Sequence, residues 1–230
     1  MARRRVNTTK LEIVQQASAL FLEKGYSATS IKAIAQRLDM STGHVTFYFP
    51  TKEHMLSVLV EILCQFQWTM MKQLSDEGQS PLMALCLELV SMASICEENE
   101  ILKDFYLAAY THPMTLEIIR RNDAQRAKLI FGAYCPHWSE EQFAEAETLI
   151  SGIEYATLMT TRDSAPLDVR IAGALNNIMQ IYGVPEETRS QKIKKVMTLD
   201  CAAIGRRIFR EFTEYLRLTN ERALDDLLGM

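Results

Sequence analysis

The apolar residues of this chain recur with the period of an α-helix, and no segment shows the sustained apolar–polar alternation of a half-buried β-strand. Six prolines, at positions 50, 81, 113, 136, 166 and 185, divide the sequence into segments rich in Leu, Ala, Glu, Met, Gln and Lys. These residue types favour helices, whereas proline ends them. The pattern predicts an all-α protein of about nine or ten helices joined by short loops.

The charge is unevenly distributed along the chain. The 230 residues carry a net charge of −4, but residues 1–56 hold eight Lys/Arg and four Asp/Glu, which leaves +4 there and −8 in the rest. A basic N-terminal part on an acidic remainder indicates a local surface for a polyanion, although a chance asymmetry would look the same in so short a window. The length allows one extended domain or two coupled domains.

Cysteine usage and hydropathy predict a cytoplasmic protein without a membrane span. The five cysteines show no CxxC spacing, no apolar signal region follows the basic N-terminus, and no run of about 18 apolar residues occurs. Cys135 and His137 could form half of a metal site, but without a second pair a simple turn is favoured. Because no catalytic motif or phosphate-binding glycine loop is present, we expect no enzyme activity, no cofactor and no metal.

The first helix is predicted from Thr9 to Lys24. Thr9 and Glu12 have the spacing of a capping box, and Gly25 follows where a positive φ ends a helix. The buried stripe is expected to comprise Ile13, Ala17, Leu20 and Phe21.

Two short helices follow and form a predicted helix-turn-helix. The first begins at Thr29 or Ser30 and ends near Leu38; Ser41 caps the second, from Thr42 to about Phe47. The β-branched and aromatic residues 44–49 favour a strand by propensity, but that strand would have no partner in the chain. We therefore predict a helix.

Residues 9–56 resemble the DNA-binding domain of TetR-type transcriptional regulators. The matching residues are Ala19-Leu-Phe-x-x-x-Gly25-Tyr26, Thr29-Ser30, Ile34-Ala35, Ser41-x-Gly43, Tyr48-Phe49 and Lys52-Glu53 before Leu56. The set as a whole is specific, whereas no single piece of it is, and it covers about the first quarter of the chain.

The resemblance implies a head at residues 1–54, a three-helix DNA-binding domain, and a body at residues 55–230, a larger helical domain for ligand binding and dimerisation. We expect a ligand-responsive regulator, most simply a repressor, that binds a palindromic site on double-stranded DNA as a homodimer and is released by an unknown small molecule.

Groove geometry suggests roles for the interface residues. Thr42 and Gly43 allow close approach to a major groove about 12 Å wide, and Thr42 and His44 can hydrogen-bond base edges. Backbone phosphates are expected to meet Ser30, Lys32, Tyr48 and Lys52. Arg4 and Arg5 belong to a basic arm that reaches phosphates or a minor groove, or else is frayed and solvated. The full predicted interface is Arg4, Arg5, Thr29, Ser30, Lys32, Ser41, Thr42, Gly43, His44, Thr46, Phe47, Tyr48 and Lys52.

Three positions in or beside this predicted interface, 46, 47 and 49, carry an aromatic residue here or in relatives. Phe49 is expected to anchor the helix from behind, and Phe47 to share that role. Thr46 stands where relatives usually carry an aromatic that contacts DNA, so its hydroxyl could keep a contact but the stacking surface is lost. We therefore expect an operator particular to this protein.

The body is rich in methionine and aromatic residues, which suit an adaptable apolar ligand cavity. The candidate ligand contacts are Phe66, Trp68, Met92, Phe105, Tyr106, Tyr110 and His112. For any one of them, an ordinary core position is the better supported interpretation.

The resemblance also implies that two late helices of each subunit form a four-helix dimer interface. The candidates are helices 140–162 and 200–218, with Gly152, Ile153, Ala156, Thr160, Ile208, Phe212 and Tyr215 as contacts. Packing inside one subunit would explain either helix nearly as well.

Two other classes of function remain open from sequence. One is a DNA-binding protein of the same fold whose output is not transcription. The other is an all-α small-molecule-binding protein with a degenerate head, against which Lys32, Tyr48 and Lys52 argue.

Overall fold

The computed structural model describes residues 2–76 and 79–219, and the side chains of residues 9–74 and 79–219. The described residues form eleven α-helices connected by turns and short loops, and no strand. The all-α prediction is confirmed, with one or two more helices than expected. The helices are α1 (Ala2–Lys24), α2 (Ile31–Arg37), α3 (Thr42–Tyr48), α4 (Lys52–Asp76), α5 (Pro81–Glu98), α6 (Glu100–Thr111), α7 (Pro113–Phe131), α8 (Glu140–Leu158), α9 (Leu167–Ile181), α10 (Glu186–Met197) and α11 (Cys201–Leu218).

The first helix begins earlier than predicted. Its backbone is helical from Ala2, so Thr9 lies inside α1 and does not cap it. The predicted basic arm is therefore part of a helix; the side chains of Arg4 and Arg5 lie outside the described residues. The other end is as predicted, because Gly25 has φ of 91° and its N–H donates to the Phe21 carbonyl.

The helix-turn-helix forms as the sequence predicts. The Ser30 hydroxyl accepts from the Ala33 N–H at 3.1 Å and caps α2, and the Ser41 hydroxyl accepts from the His44 N–H at 3.1 Å and caps α3. Asp39, with φ of 53°, supplies the left-handed residue that turns the chain between them. The strand propensity of residues 44–49 is overridden because Val45 and Phe49 pack in the core of the head.

Two apolar clusters form the core. One joins α1, α2 and α3 to the first half of α4, and the other fills the body between α5, α7, α8 and α9. Helix α4 contributes to both: Leu56 and Leu59 are fully buried on the side of the head, whereas Met71 packs in the body. Because a rigid helix runs between the two clusters, a movement within the body can reach the head.

The end of α8 differs from the prediction, and α11 makes close contacts within the chain. Helix α8 begins with the predicted capping box of Ser139 and Gln142 but ends at Leu158, so Thr160 lies beyond the helix. Helix α11 packs mainly against α5, where Gly205 allows close approach: a Cβ there would lie 3.0 Å from the Ser91 carbonyl oxygen.

None of the helices in the part of the chain described here has both the length and the apolar character that crossing a membrane requires. The cysteines are unpaired; Cys64, Cys86, Cys96 and Cys135 are buried, and Cys201 is half-buried. Within the same residues, no group of three or more His, Cys, Asp or Glu side chains is arranged to hold a metal ion.

Candidate nucleic-acid interface

Helix α3 presents one face to the core and the other to solvent. Val45 is fully buried and Phe49 is 5% exposed, so these two residues fix the helix to the core of the head. Thr42, Gly43 and His44 are exposed at its N-terminal end. A Cβ on Gly43 would meet only the Ser41 hydroxyl, at 4.0 Å, so the backbone here is open to a close partner.

Phe47 is not an anchor, because 78% of its surface is exposed. It lies two positions from both Val45 and Phe49 and therefore on the opposite face of the helix. The ring centres of Phe47 and Tyr48 lie 5.1 Å apart in an edge-to-face arrangement, and the ring centres of Tyr48 and His44 lie 5.5 Å apart. These three side chains form an aromatic patch on the solvent side of α3, which suits contact with bases and sugars.

The remaining interface residues differ in what they can offer. Ser30, Lys32 and Ser41 are exposed, although both serine hydroxyls already accept from a backbone N–H as caps. Thr46 is half-buried, and its hydroxyl donates to the Gly43 carbonyl at 3.2 Å. Thr29 is only 3% exposed and donates to the Gly25 carbonyl at 2.7 Å, so this side chain is structural.

Lys52 is engaged within the protein, contrary to its predicted role at a phosphate. Its ammonium donates to the Tyr26 carbonyl at 2.6 Å and the Thr29 carbonyl at 2.9 Å, and lies 3.9 Å from the centre of the Tyr26 ring. Burial lowers the pKa of this ammonium. Lys52 therefore ties the start of α4 to the loop between α1 and α2.

Replacing Lys52 with methionine is expected to destabilise the head by about 1–3 kcal/mol, because two carbonyls lose their donor. The salt dependence of DNA binding should stay unchanged. Lys32→Met, at an exposed lysine, is the matched control: stability should change by less than about 0.5 kcal/mol, while binding to every sequence weakens and the salt slope falls by about one. Urea unfolding and binding titrations at several salt concentrations measure both. If Lys52→Met instead reduced the salt dependence of binding and left stability unchanged, Lys52 would contact a phosphate as predicted.

A second set of contacts joins the head directly to α6 and its C-terminal end. The Asp104 carboxylate, on α6, accepts from the Ser27 N–H at 2.8 Å and from the Ser27 hydroxyl. His112 Nδ1 lies 3.1 Å from the Glu53 carboxylate, and the His112 ring lies 5.1 Å from that of Tyr26. His112, predicted as a ligand contact, thus belongs to this junction between head and body.

The other predicted ligand contacts divide into two groups. Phe66, Met92 and Tyr106 line one internal cavity of about 30 Å³. Trp68 donates to the Asn122 side chain at 2.7 Å and Tyr110 to Glu154 at 2.9 Å, which places both at a polar network nearby. Phe105 is 1% exposed and packs in the same core cluster as Phe66, but it is not among the residues that line this cavity.

That polar network was not predicted, and it occupies the middle of the body. The Arg126 guanidinium pairs with Glu88 and, at 3.2 Å, with Asp123. Glu147 accepts from the Tyr182 hydroxyl, and Glu154 from that of Tyr110. A second internal cavity, of about 20 Å³, is lined by all these groups except Tyr110. A sequence signal existed, since Glu147 and Glu154 lie on the same helical face as Phe143 and Ile150.

Burial perturbs the carboxyl groups of this network. It raises the pKa of Asp123 to about 6 and that of Glu147 to about 8, and it raises the pKa of Glu154 well above the ordinary value. Removing a carboxylate from water disfavours its charged form, and neighbouring carboxylates add to the effect. The proton of Glu147 is therefore retained at neutral pH.

Glu147→Gln is expected to change how stability depends on pH. Because the pKa of Glu147 rises from an ordinary 4.5 to about 8 on folding, the folded chain holds this proton more tightly, and stability falls as pH rises between these values. The shift corresponds to several kcal/mol, at about 1.4 kcal/mol per pKa unit. Urea unfolding at pH 5, 6.5 and 8 should show the variant gaining stability relative to the native chain as pH rises. A constant difference would mean that Glu147 does not titrate in this range.

An open groove of about 760 Å³ lies between α7 and α8, with Arg120, Arg121 and Lys128 facing Glu140 and Glu141. Its walls are mixed in charge and exposed to water. It therefore lacks the enclosed apolar walls typical of a small-molecule site.

The fold and the exposed face of α3 define a helix-turn-helix DNA-binding protein. A family model described as "Bacterial regulatory proteins, tetR family" matches residues 13–59, which contain the helix-turn-helix. Residues 13–59 therefore match the DNA-binding domain of TetR-family transcriptional regulators, and the predicted resemblance is confirmed for this part of the chain.

Two curated proteins of Bacillus subtilis (strain 168) are similar to this chain. It is 28% identical to the "Uncharacterized HTH-type transcriptional regulator YuxN" over 106 residues, 46% of this chain and 36% of the relative. It is 32% identical to the "Probable HTH-type transcriptional regulator YttP" over 89 residues, 36% of this chain and 43% of the relative. The matched segments thus span less than half of either relative.

One solved structure resembles the chain over nearly its full length. The full-length native TylP, a TetR regulator from Streptomyces fradiae, matches with a TM-score of 0.50 and 18% identity, covering 96% of each chain. At this identity the likeness shows the fold alone: an N-terminal helix-turn-helix followed by a helical body.

Proposed function

We propose that this protein is a homodimeric transcriptional repressor of the cytoplasm that binds a palindromic operator and is released by a small-molecule effector. The observation that carries the proposal is the exposed face of α3, where Thr42, Gly43, His44 and Phe47 face solvent while Val45 and Phe49 fix the helix from behind. Small residues at the leading end allow entry into a major groove, and the side chains behind them can contact bases.

The body supplies a route by which an effector changes DNA binding. Helix α6 carries Tyr106 and Tyr110 toward the internal cavities and Asp104 toward Ser27 of the head. A ligand that moves α6 would disturb the contacts that fix the head relative to the body. Because the coupling is reciprocal, DNA that favours one arrangement would weaken effector binding by the same factor.

Selection of bound fragments from a random pool of duplexes tests the proposal. The native chain should enrich an inverted repeat whose half-sites are one or more helical turns apart, about 34–36 Å or a multiple, because a two-fold dimer places two copies of α3 on one face of the duplex. Enrichment of a single asymmetric half-site, or of no sequence, would contradict it.

For the dimer contact we propose α8 and α9 instead of α8 and α11. Phe212 is 2% exposed, and its ring centre lies 5.6 Å from that of Phe66 in the core of the same chain. Ile208 and Tyr215 are half-buried against this core. The apolar face of α11 therefore packs within the chain. Helices α8 and α9 pack together and both leave apolar or small positions exposed. These are Leu149, Gly152, Ala156, Val169 and Gly173, with Met159 just after α8, whereas Ile153 and Thr160 are half-buried.

Gly152→Glu is expected to turn dimers into monomers at micromolar concentration, because a charge would be buried between two close helices. An added Cβ meets nothing within 4 Å in the single chain, so the variant should fold normally. Ser190→Glu, at an exposed position on α10, is the control and should leave the mass unchanged. Light scattering gives both masses. If the Gly152→Glu protein remained a dimer, α8 would not be part of the interface.

A further inference from the structure

The two internal cavities of the body share one wall. Glu88 lines both, and its carboxylate accepts from Gln67 at 2.5 Å and from Arg126. On one side, which we call the carboxylate cavity, it faces Asp123, Glu147 and Glu154. On the other side, which we call the aromatic cavity, the lining is mainly apolar and includes Phe66, Met70, Met92, Tyr106 and Phe212.

The carboxylate cavity is short of positive charge. Four carboxyl groups line it, and among its lining residues Arg126 is the single cation. Arg126 pairs with Glu88 and Asp123, which leaves Glu147 and Glu154 with tyrosine hydroxyls as partners. A buried carboxylate needs a cation or a proton, and with no second cation in the lining, burial raises the pKa of Glu147 to about 8 and that of Glu154 well above its ordinary value.

Arg126, which lines this cavity, also carries an unused hydrogen-bond donor. The Arg126 side chain is 3% exposed, and its Nε–H has no acceptor among the residues that the structure describes. Buried donors are nearly always paired, by protein, water or ligand. The free volume of about 20 Å³ could hold roughly one water. A ligand oxygen beside Arg126 would accept from its Nε–H. A positive charge next to that oxygen would pair with the carboxylates that lack a cation.

We propose that the effector is an amphiphilic organic cation, whose charged nitrogen lies among Glu88, Glu147 and Glu154, whose neighbouring oxygen accepts from Arg126 Nε, and whose apolar part enters the aromatic cavity. This inference rests on the proposed effector-controlled function and names the chemical class of the effector.

Binding must enlarge the site, and the lining permits it. Ligand sites usually measure about 300–1,000 Å³, far more than the two cavities together. Met70 and Met92 are flexible side chains that can repack, and displacement of Gln67 from Glu88 would join the cavities. Because Tyr106 and Tyr110 lie on α6, the same enlargement would push on the helix that holds Ser27 through Asp104.

A series of three naphthyloxy compounds tests the charge requirement. All share a naphthyl ether and a neighbouring hydroxyl, and the chain ends in an ammonium, a hydroxyl or a carboxylate. Calorimetry on the native 230-residue chain at pH 7 should show that the amine binds at least about tenfold more tightly than the diol, and that the acid binds most weakly. Proton release, from titrations in buffers of different ionisation enthalpy, should accompany binding of the amine alone.

Variants locate the binding to the carboxylate cavity. Glu154→Gln should weaken the amine at least about tenfold and leave the diol unchanged, because only the charge pairing is lost. Glu145→Gln, the same change at an exposed position of α8, should leave the affinity for both compounds unchanged. Failure of the amine to bind, equal binding of amine and diol, or an unaffected Glu154→Gln variant would overturn the assignment.

The same preparations should be tested on DNA selected by the native chain. If DNA binding is present and the amine does not bind, the effector class is wrong and the regulator remains. If the amine binds with the expected charge preference and no DNA sequence is selected, the cation site stands and the proposed regulatory function fails.

Discussion

Replacement of Gly43 with glutamate should lower the affinity for the selected operator by about a hundredfold or more and leave the fold intact. The backbone of α3 is exposed at this point, and a Cβ would meet no atom nearer than 4.0 Å, so the folded chain has room for the side chain. In a major groove about 12 Å wide, the same side chain would fill the space of a base contact and bring a negative charge toward phosphates. Electrophoretic mobility shifts and thermal unfolding of one preparation separate the two effects.

Gly43→Ala is the control for this experiment. A methyl group adds little bulk and no charge, so its affinity should lie much closer to that of the native chain. Equal affinities for the glutamate variant and the native chain would show that the N-terminal end of α3 does not approach DNA, and the aromatic patch of His44, Phe47 and Tyr48 would then need another role.

Replacement of Arg126 with methionine should reduce the free energy of unfolding by about 3–5 kcal/mol, because it leaves buried carboxylates without their cation. The guanidinium is 3% exposed and pairs with both Glu88 and Asp123. The methionine fills similar space, so the loss reflects charge more than volume. Urea unfolding followed by circular dichroism measures it.

Arg121→Met is the matched control on the same helix. Arg121 pairs with Glu61 at 2.6 Å but is 57% exposed, so the loss should be no more than about 1 kcal/mol. Similar losses for the two variants would mean that water reaches the Arg126 network. The charge deficit of the carboxylate cavity would then be smaller than the structure indicates.

Local signals predicted the head well because its folding depends on short-range chemistry. Ser30 and Ser41 satisfy N–H groups three residues ahead, and Gly25 takes a backbone conformation that few other residues adopt. The same type of signal failed at Thr9, where the spacing of a capping box occurs inside a helix that continues to Ala2. A cap pattern shows that a helix could begin, not that it does.

Residues whose role depends on distant partners were not predictable from local pattern. Lys52 donates to the carbonyls of residues 26 and 29, and His112 lies against Glu53; these partners are distant in sequence, so only the fold shows them. The amphipathic pattern of α11 correctly indicated an apolar face, but an internal and an intersubunit helix look alike in sequence. Phe47 was misjudged although its spacing from Val45 already placed it on the solvent face.

Equilibrium titration of the native chain with its selected duplex and a shuffled duplex of the same composition tests sequence-specific DNA binding by α3 most directly. At physiological salt, we expect the selected duplex to bind at least about a thousandfold more tightly, with an affinity that falls steeply as salt increases. Equal affinity for the two duplexes would contradict the assignment of α3 as the element that recognises sequence.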